Sequence, residues 1–398
     1  MKRDKFLPSA AAIILLFNLL ADAIMLIIPP KSIDALDLVG QRRLCAYVLR
    51  GVDPFPFIGT TPPPLLTDVG SIPQNFGTSP WGLVLGNIFY PAFLPVELAA
   101  YYLFALSAIT LAVTAFIVFN ETKKFSSRLG KLSIALFILP APFIISLYWG
   151  NAGSILCCLL LIGCVECDRR PILTGILLSL AMIKPQTALP FCILFLLQRR
   201  YKILLTAAAI DLGAWLIASA LTATSPLTLL IEMLNANVGG GGQFTGVMMP
   251  FFMSEPSKAM YLSMIVGVLF IVLMHRRSTE KNFLSMYPAA VAALFWSYSM
   301  NNEHFILILP TLCCFFIMLE LESKFDRAKW LAAGVIFYCS LTAYILLNTG
   351  YVWSLFNRII ECPYGTFVGA LMMLRVAVLF VFIEMALCIS RRLAALRR

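Results

Sequence analysis

Long apolar runs alternate with short, mostly basic, polar tracts along the whole chain. One helical crossing of a bilayer takes about 20 predominantly apolar residues. The runs Ser9–Ile28, Glu97–Phe119, Leu132–Leu147, Ser154–Cys167 and Ile203–Leu221 therefore read as spanning helices, and five more fall at about 259–274, 283–299, 305–321, 330–348 and 367–389. The stretch Pro171–Gln198 fits neither one crossing nor two. It is flanked by Arg169/Arg170 and by Arg199/Arg200/Lys202, and Lys184-Pro185-Gln186 breaks it in the middle. Basic residues beside membrane segments collect on the cytoplasmic side, so both ends of this stretch are expected on one side. The pattern predicts a re-entrant pair of short helices that lifts a lysine and an irregular backbone into the membrane, which survives only where it is buried in protein or lines a wet cavity.

The fold class predicted is an all-α polytopic membrane protein with about ten spanning helices, the re-entrant pair, and outer loops at about 29–95 and 222–258, all within a single transmembrane domain covering 1–398. Both termini fall in the cytoplasm. The first run lacks a small-residue cleavage site and ends in Pro29-Pro30, so it reads as an uncleaved span.

Composition sharpens this picture. Hydrophobic residues make up 60% of the chain and charged residues 13%, with a mean hydropathy of +0.88, which excludes a soluble domain. The net charge of +10 could suggest nucleic acid, but the basic residues sit in short tracts between apolar runs, as topology requires. Of the 11 cysteines, most lie inside apolar runs as small packing residues. Cys164 and Cys167 form a C-x-x-C without a second pair, which favours packing over zinc or redox chemistry. Cys45 and Cys362 both fall outside, and a disulfide between them stays open. With only His275 and His304 present, a histidine-rich metal site is excluded, and neither metal nor cofactor is expected.

After the first span, Leu36, Val39, Arg43, Tyr47 and Arg50 share a helical face and Gly51 followed by Pro54 stops the helix, predicting an amphipathic helix along the outer membrane surface. Capping alone explains Asp34 as its N-cap and Asp37 as a first-turn acid. The proline-rich segment beyond Gly51, with Pro54-Phe55-Pro56 and Pro62-Pro63-Pro64, is the kind of long loop that serves as a lid or binding loop.

Asp37-Leu38, followed fourteen residues on by Gly51 and then Val52-Asp53-Pro54-Phe55, resembles the first outer loop of glycosyltransferase family 87, a C-type membrane transferase family that includes polyprenyl-phosphate-mannose-dependent mannosyltransferases. Further pieces agree in order. Tyr148-Trp149-Gly150-Asn151 resembles the family's short outer motif, and Leu180-Ala181-Met182-Ile183-Lys184-Pro185-Gln186 its Lys-Pro segment. Ser297-Tyr298-Ser299-Met300-Asn301-Asn302-Glu303-His304 stands where members often carry Trp-Asp-His-His, and it keeps only His304. The resemblance runs over roughly residues 10–310.

The resemblance implies the C-type fold and transfer of a hexose, mannose first among candidates, from a polyprenyl-phosphate donor to a lipid-linked or cell-surface glycan acceptor. The reaction would run with inversion on the outer, periplasmic face of a bacterial plasma membrane. A carboxylate must take the acceptor proton, and Asp37 matches the family's catalytic aspartate by its spacing to Gly51, with Asp34 as runner-up. The departing phosphate calls for a fixed cation, a role that falls to Lys184 with Arg42 and Arg43, while His304 can contact donor phosphate or sugar. Asp34, Trp149, Asn151, Gln186 and Glu303 complete the substrate-binding set. A secondary transporter, or a flippase that binds a lipid-linked sugar without reacting, is the alternative, since broken helices with central charges also build transport sites.

Overall fold

The computed structural model describes residues 6–27, 36–73, 78–239, 247–248, 251–252, 255–277, 283–295, 305–347 and 364–395. The regular structure of these residues is helical, joined by turns and loops, with one isolated parallel bridge between Ile58 and Ile72. In chain order come α1 (Phe6–Ile27), α2 (Leu36–Leu49), α3 (Gly82–Leu85), α4 (Val96–Phe125), α5 (Ser127–Leu136), α6 (Ala141–Trp149), α7 (Gly153–Glu166) and α8 (Pro171–Ala181). They are followed by α9 (Pro185–Leu197), α10 (Tyr201–Thr222), α11 (Pro226–Gly239), α12 (Pro256–Arg277), α13 (Tyr287–Phe295), α14 (Ile308–Glu320), α15 (Lys324–Leu347) and α16 (Tyr364–Ala395).

The expected ten spanning helices and re-entrant pair are not what the chain builds. Among the described residues, three helices are long and apolar enough to cross a membrane: Val96–Phe125, Tyr201–Thr222 and Lys258–Arg277. Their apolar side chains face outward, with Tyr101, Phe104 and Phe116 on α4, Leu205 and Leu212 on α10, and Ile265 and Leu269 on α12 all exposed. The other apolar runs form shorter helices for identifiable reasons. Leu132–Leu147 is cut where Leu139 takes a left-handed φ of 45° ahead of Pro140, leaving α5 and α6. In α7 every residue from Gly153 to Val165 except Leu159 is buried. A helix apolar on all sides is a core helix, and its 14 residues rise only about 21 Å, short of the roughly 30 Å of bilayer hydrocarbon. The pair α8 and α9, at 11 and 13 residues, packs within protein against α7, α10 and α13. Leu178, Ala181, Ala188, Phe191, Leu194 and Phe195 bury against those neighbours, while Ile172, Ile176 and Leu196 stay exposed; the apolar residues of α14 are buried on nearly every side.

The amphipathic helix of the first loop exists as α2, although its buried face differs from the expected one. Leu38, Leu44, Tyr47 and Val48 are buried, and the last three join Phe55, Leu66, Ile72, Leu83, Ala218, Leu229 and Met233 in a second apolar core. The loop 52–72 and α11 are thus clamped onto the tops of α2 and α10. Cys45 is a free, buried thiol, pushed up to about 12 by that burial.

The two ends of the bundle carry opposite duties. At one end, Arg169 donates to Glu121 at 2.8 Å, Lys124 meets the same carboxylate at 2.5 Å, and Arg200 pairs with Asp168 at 2.8 Å. The basic tracts after α4, α7 and α9 therefore gather together, and the chain that leaves Arg170 through α8 returns through α9 to Arg200. Phe125 stacks edge-on against Phe316 at 5.8 Å, which places the α14–α15 turn at this same end. At the other end lie α2, α3 and the turn between α6 and α7.

Glycine sets the closest approach in this core. A Cβ on Gly175 of α8 would lie 2.5 Å from Thr206 Cβ and 2.8 Å from the Ile203 carbonyl oxygen of α10. Gly175→Ala is expected to destabilise the protein by about 1–3 kcal/mol through overpacking. Gly213→Ala, where a Cβ meets nothing within 4 Å, should be neutral or stabilising by up to about 1 kcal/mol. Thermal unfolding of the two variants in one detergent checks the contrast.

Candidate functional site

The site is assembled from three turns. The first ends α6: Gly150 adopts the left-handed conformation (φ 64°, ψ 36°) that closes a helix at little steric cost for glycine. The chain folds back so that Asn151 N–H donates to Ser146 O at 2.8 Å, and Ser146 Oγ–H donates to Asn151 O. Ala152 N–H donates to the Tyr90 hydroxyl at 2.7 Å, which locks the start of α7 onto the loop before α4. The Asn151 side chain, 7% exposed, is thereby fixed in orientation.

The second turn separates α8 from α9. Lys184 precedes Pro185, so its backbone is kept out of the helical region (φ −112°, ψ 84°), and Pro185 opens α9 where its missing N–H costs no helix hydrogen bond. A helix end leaves carbonyls without partners. Here Met182 O accepts from Trp81 Nε1–H at 2.8 Å and from Ser79 Oγ–H at 3.4 Å. The Ser79–Gly82 turn fits so tightly that a Cβ at Gly82 would lie 2.3 Å from Thr78 Oγ1. The third element is the first turn of α2, which presents Asp37.

These turns converge on one amide. Asn151 Nδ2–H donates to Asp37 Oδ2 at 2.6 Å, while Asn151 Oδ1 accepts from Lys184 Nζ at 2.9 Å and from Gly153 N–H at 2.7 Å. The carboxamide is polarised in the sense its neighbours demand, its nitrogen toward the anion and its oxygen toward the cation. Asp37 and Lys184 are both half-buried. Among the described residues Asp37 Oδ1 receives no hydrogen bond, so one carboxylate oxygen is anchored and the other is available to accept a proton. A base held next to a fixed cation can take a proton from a nucleophile while negative charge builds on a leaving group.

The remaining sequence-predicted residues divide. Arg42 donates through Nε to Pro91 O at 3.3 Å and through Nη2 to Leu94 O, and Arg43 donates to Ser71 O at 2.5 Å. Both guanidinium groups therefore brace the loop carbonyls. Trp149 ends α6 two positions before Asn151, and Gln186 sits half-buried in the first turn of α9. Asp34, Glu303 and His304 lie outside the described residues. Sequence reading missed Ser79, Trp81 and Tyr90, whose roles depend on contacts across more than 60 residues. The Ser-Pro-Trp-Gly turn was the available signal.

A second acidic feature lies between the Gly51–Pro54 turn and α11. Asp53 Oδ1 accepts from Phe55 N–H at 3.0 Å. Asp53 Oδ2 and Glu232 Oε2 are sealed from solvent without any donor from the rest of the protein. Two unmet carboxylate oxygens under burial favour retention of a proton by one of the carboxyls. The hydrogen bond to Asp53, then burial, then the Asp53 charge push the Glu232 carboxyl up to about 7. This pair ties α11 to the Gly51–Pro54 turn, and Glu232 carried no signal at the level of sequence.

The sequence model described as Glycosyltransferase family 87 matches residues 80–319, a stretch that includes the Trp81 turn, Asn151 and Lys184 and leaves α2 outside it. No curated protein and no solved structure matches the chain.

Because the Glu232 carboxyl titrates higher when folded than its ordinary value of 4.5, its contribution to stability is fully present below about 4.5 and is lost as pH rises through about 7. The α11 cap is expected to loosen between about pH 5 and pH 8. Trp215, whose Nε1–H donates to Pro226 O at 3.1 Å, and amide exchange along α11 report the change. Glu232→Gln should flatten the pH dependence; an identical profile in that variant removes the retained proton from the explanation.

Proposed function

The chain belongs to glycosyltransferase family 87, and on that premise we propose that it transfers a hexose, mannose first, from a polyprenyl-phosphate donor to a lipid-linked or cell-surface glycan acceptor. The reaction runs on the outer face of a bacterial plasma membrane, with Asp37 as general base. The observation that carries this reading is the Asp37–Asn151–Lys184 bridge.

The acceptor hydroxyl attacks the anomeric carbon and gives its proton to Asp37 Oδ1. The bond from that carbon to the phosphate oxygen breaks, and its electron pair leaves on polyprenyl phosphate. Lys184 stabilises the growing phosphate charge, and direct displacement inverts the anomeric centre. Asn151 acts on both partners at once: it points the carboxylate and stands between it and the ammonium as a bridging amide. Arg42 and Arg43, which donate to the carbonyls of Pro91, Leu94 and Ser71, add positive charge beside the donor phosphate that Lys184 meets. Trp149 and Gln186 flank the cluster on the sugar side, and Asp34, Glu303 and His304 are further substrate contacts on the same reading. The sealed turn around Met182 supports the assignment, since a catalytic ammonium must be held to within about 0.5 Å.

Transfer from radiolabelled polyprenyl-phosphate sugars by the purified protein tests the scheme. Asp37→Asn is expected to lower kcat by about 10²–10⁴-fold with donor affinity and thermal stability retained; full activity in this variant rejects Asp37 as the base. For Lys184→Ala, weaker donor binding and a fall in kcat of about 10²–10³-fold are expected together, and an unchanged donor affinity makes the lysine structural. Asn151→Ala should reduce kcat far more than it raises KM, with partial recovery in Asn151→Gln. A pure KM effect turns Asn151 into a simple substrate contact.

A further inference from the structure

At the end of the bundle where α14 turns into α15, the first turns of α15 and the last turns of α16 flank an open pocket of about 320 Å³. Asp326, Lys329 and Trp330 line it from one helix and Cys388, Arg391 and Arg392 from the other. Three cations thus face a single carboxylate. That carboxylate sits in the first turn of α15, where a helix N-terminus itself favours negative charge. The neighbouring basic residues are committed within the protein: Arg169 and Lys124 to Glu121, Arg200 to Asp168, and Arg327 to Leu321 O. Among the described residues, no ion pair is formed by Lys329, Arg391 or Arg392, and Arg392 Nε is sealed without an acceptor. A buried donor left unmet is costly, so the pocket is electrostatically incomplete.

The surfaces leading away from it are apolar. Ile336 lies seven positions beyond Lys329 on α15, and Val381 seven positions before Cys388 on α16, hence on the same helix faces; both are exposed, as is Phe380. A cationic pocket with an aromatic wall, opening onto an apolar track, has the polarity of one phospholipid standing upright. We propose that this pocket binds the phosphate headgroup of an anionic phospholipid, with its oxygens on Lys329, Arg391 and Arg392 and its acyl chains along α15 and α16. The site lies at the opposite end of the bundle from the Asp37 cluster and is argued independently of the transfer chemistry.

The test uses the full-length protein in nanodiscs of phosphatidylcholine alone or mixed with phosphatidylglycerol, with native mass spectrometry counting retained lipid and thermal unfolding read alongside. Preferential retention of phosphatidylglycerol is expected, and the preference should drop about tenfold in Arg391→Gln/Arg392→Gln. Lys329→Gln, a milder change at an exposed position, should weaken it in the same direction and serves where the double variant does not fold. Lys324→Gln, on the same helix end outside the pocket, should leave it unchanged. Equal retention of the two lipids, or equal loss in Lys324→Gln, overturns the proposal in favour of diffuse surface charge. Equal stabilisation by inorganic phosphate in detergent overturns the lipid source and points to a soluble phosphate ligand.

Discussion

A carboxamide placed between an acid and a lysine is the constraint around which this molecule is organised. Asn151 can serve both partners only if its ring of supports is complete: the Gly153 amide on its oxygen, Ser146 on its backbone, and Tyr90 on the residue that follows. Two of these supports belong to the α6–α7 turn itself and the third to the loop before α4, and the turns that meet here are of types that cannot move far. Gly150 is left-handed, Lys184 is restricted by the proline after it, and Met182 is pinned by an indole and a hydroxyl. Charged groups at half-buried positions hold their geometry when every neighbouring dipole is oriented to suit them, and that condition is met here by backbone and amide groups.

The supports in turn rest on two apolar cores. The larger one contains α7 to α9 with α13 and α14, and it carries the lysine and the asparagine. The smaller one joins the C-terminal half of α2 to the proline-rich loop, α10 and α11, while Leu38, beside the aspartate, packs in the larger core. The site is the seam between them. Arg42 and Arg43 donate to loop carbonyls beside it, and Glu232, raised above its ordinary range by Asp53 and burial, stands against the Asp53 turn.

Membrane proteins spend apolar residues on two different surfaces, and a sequence does not say which. In α4, α10 and α12 they face outward, while in α7 and α14 they face other helices. Lipid tails and side chains are equally apolar, so hydropathy is the same for both. The count of spans from apolar runs accordingly overshot, and the Lys-Pro segment was read as dipping into a bilayer when its helices pack against α7, α10 and α13. The basic tracts were more informative, because charge is placed by solvation at the ends of helices and their clustering around Glu121 and Asp168 is observed.

The sequence by itself determined the class of the protein, the break at Lys184-Pro185, the helix that bears Asp37, and the turn ending in Asn151, because each follows from local chemistry: apolar composition, the steric rule before proline, helix stop signals and a glycine. The resemblance to the family's first loop pointed to Asp37, and the two basic flanks singled out the hairpin that carries Lys184. That these residues meet through one amide was decided only by the tertiary structure, as were the Trp81 clamp, the Tyr90 lock and the Asp53–Glu232 pair. Such contacts join positions 60 to 180 residues apart. Nothing in local propensity encodes them; they exist because two cores, packed by shape, bring three rigid turns to a common point.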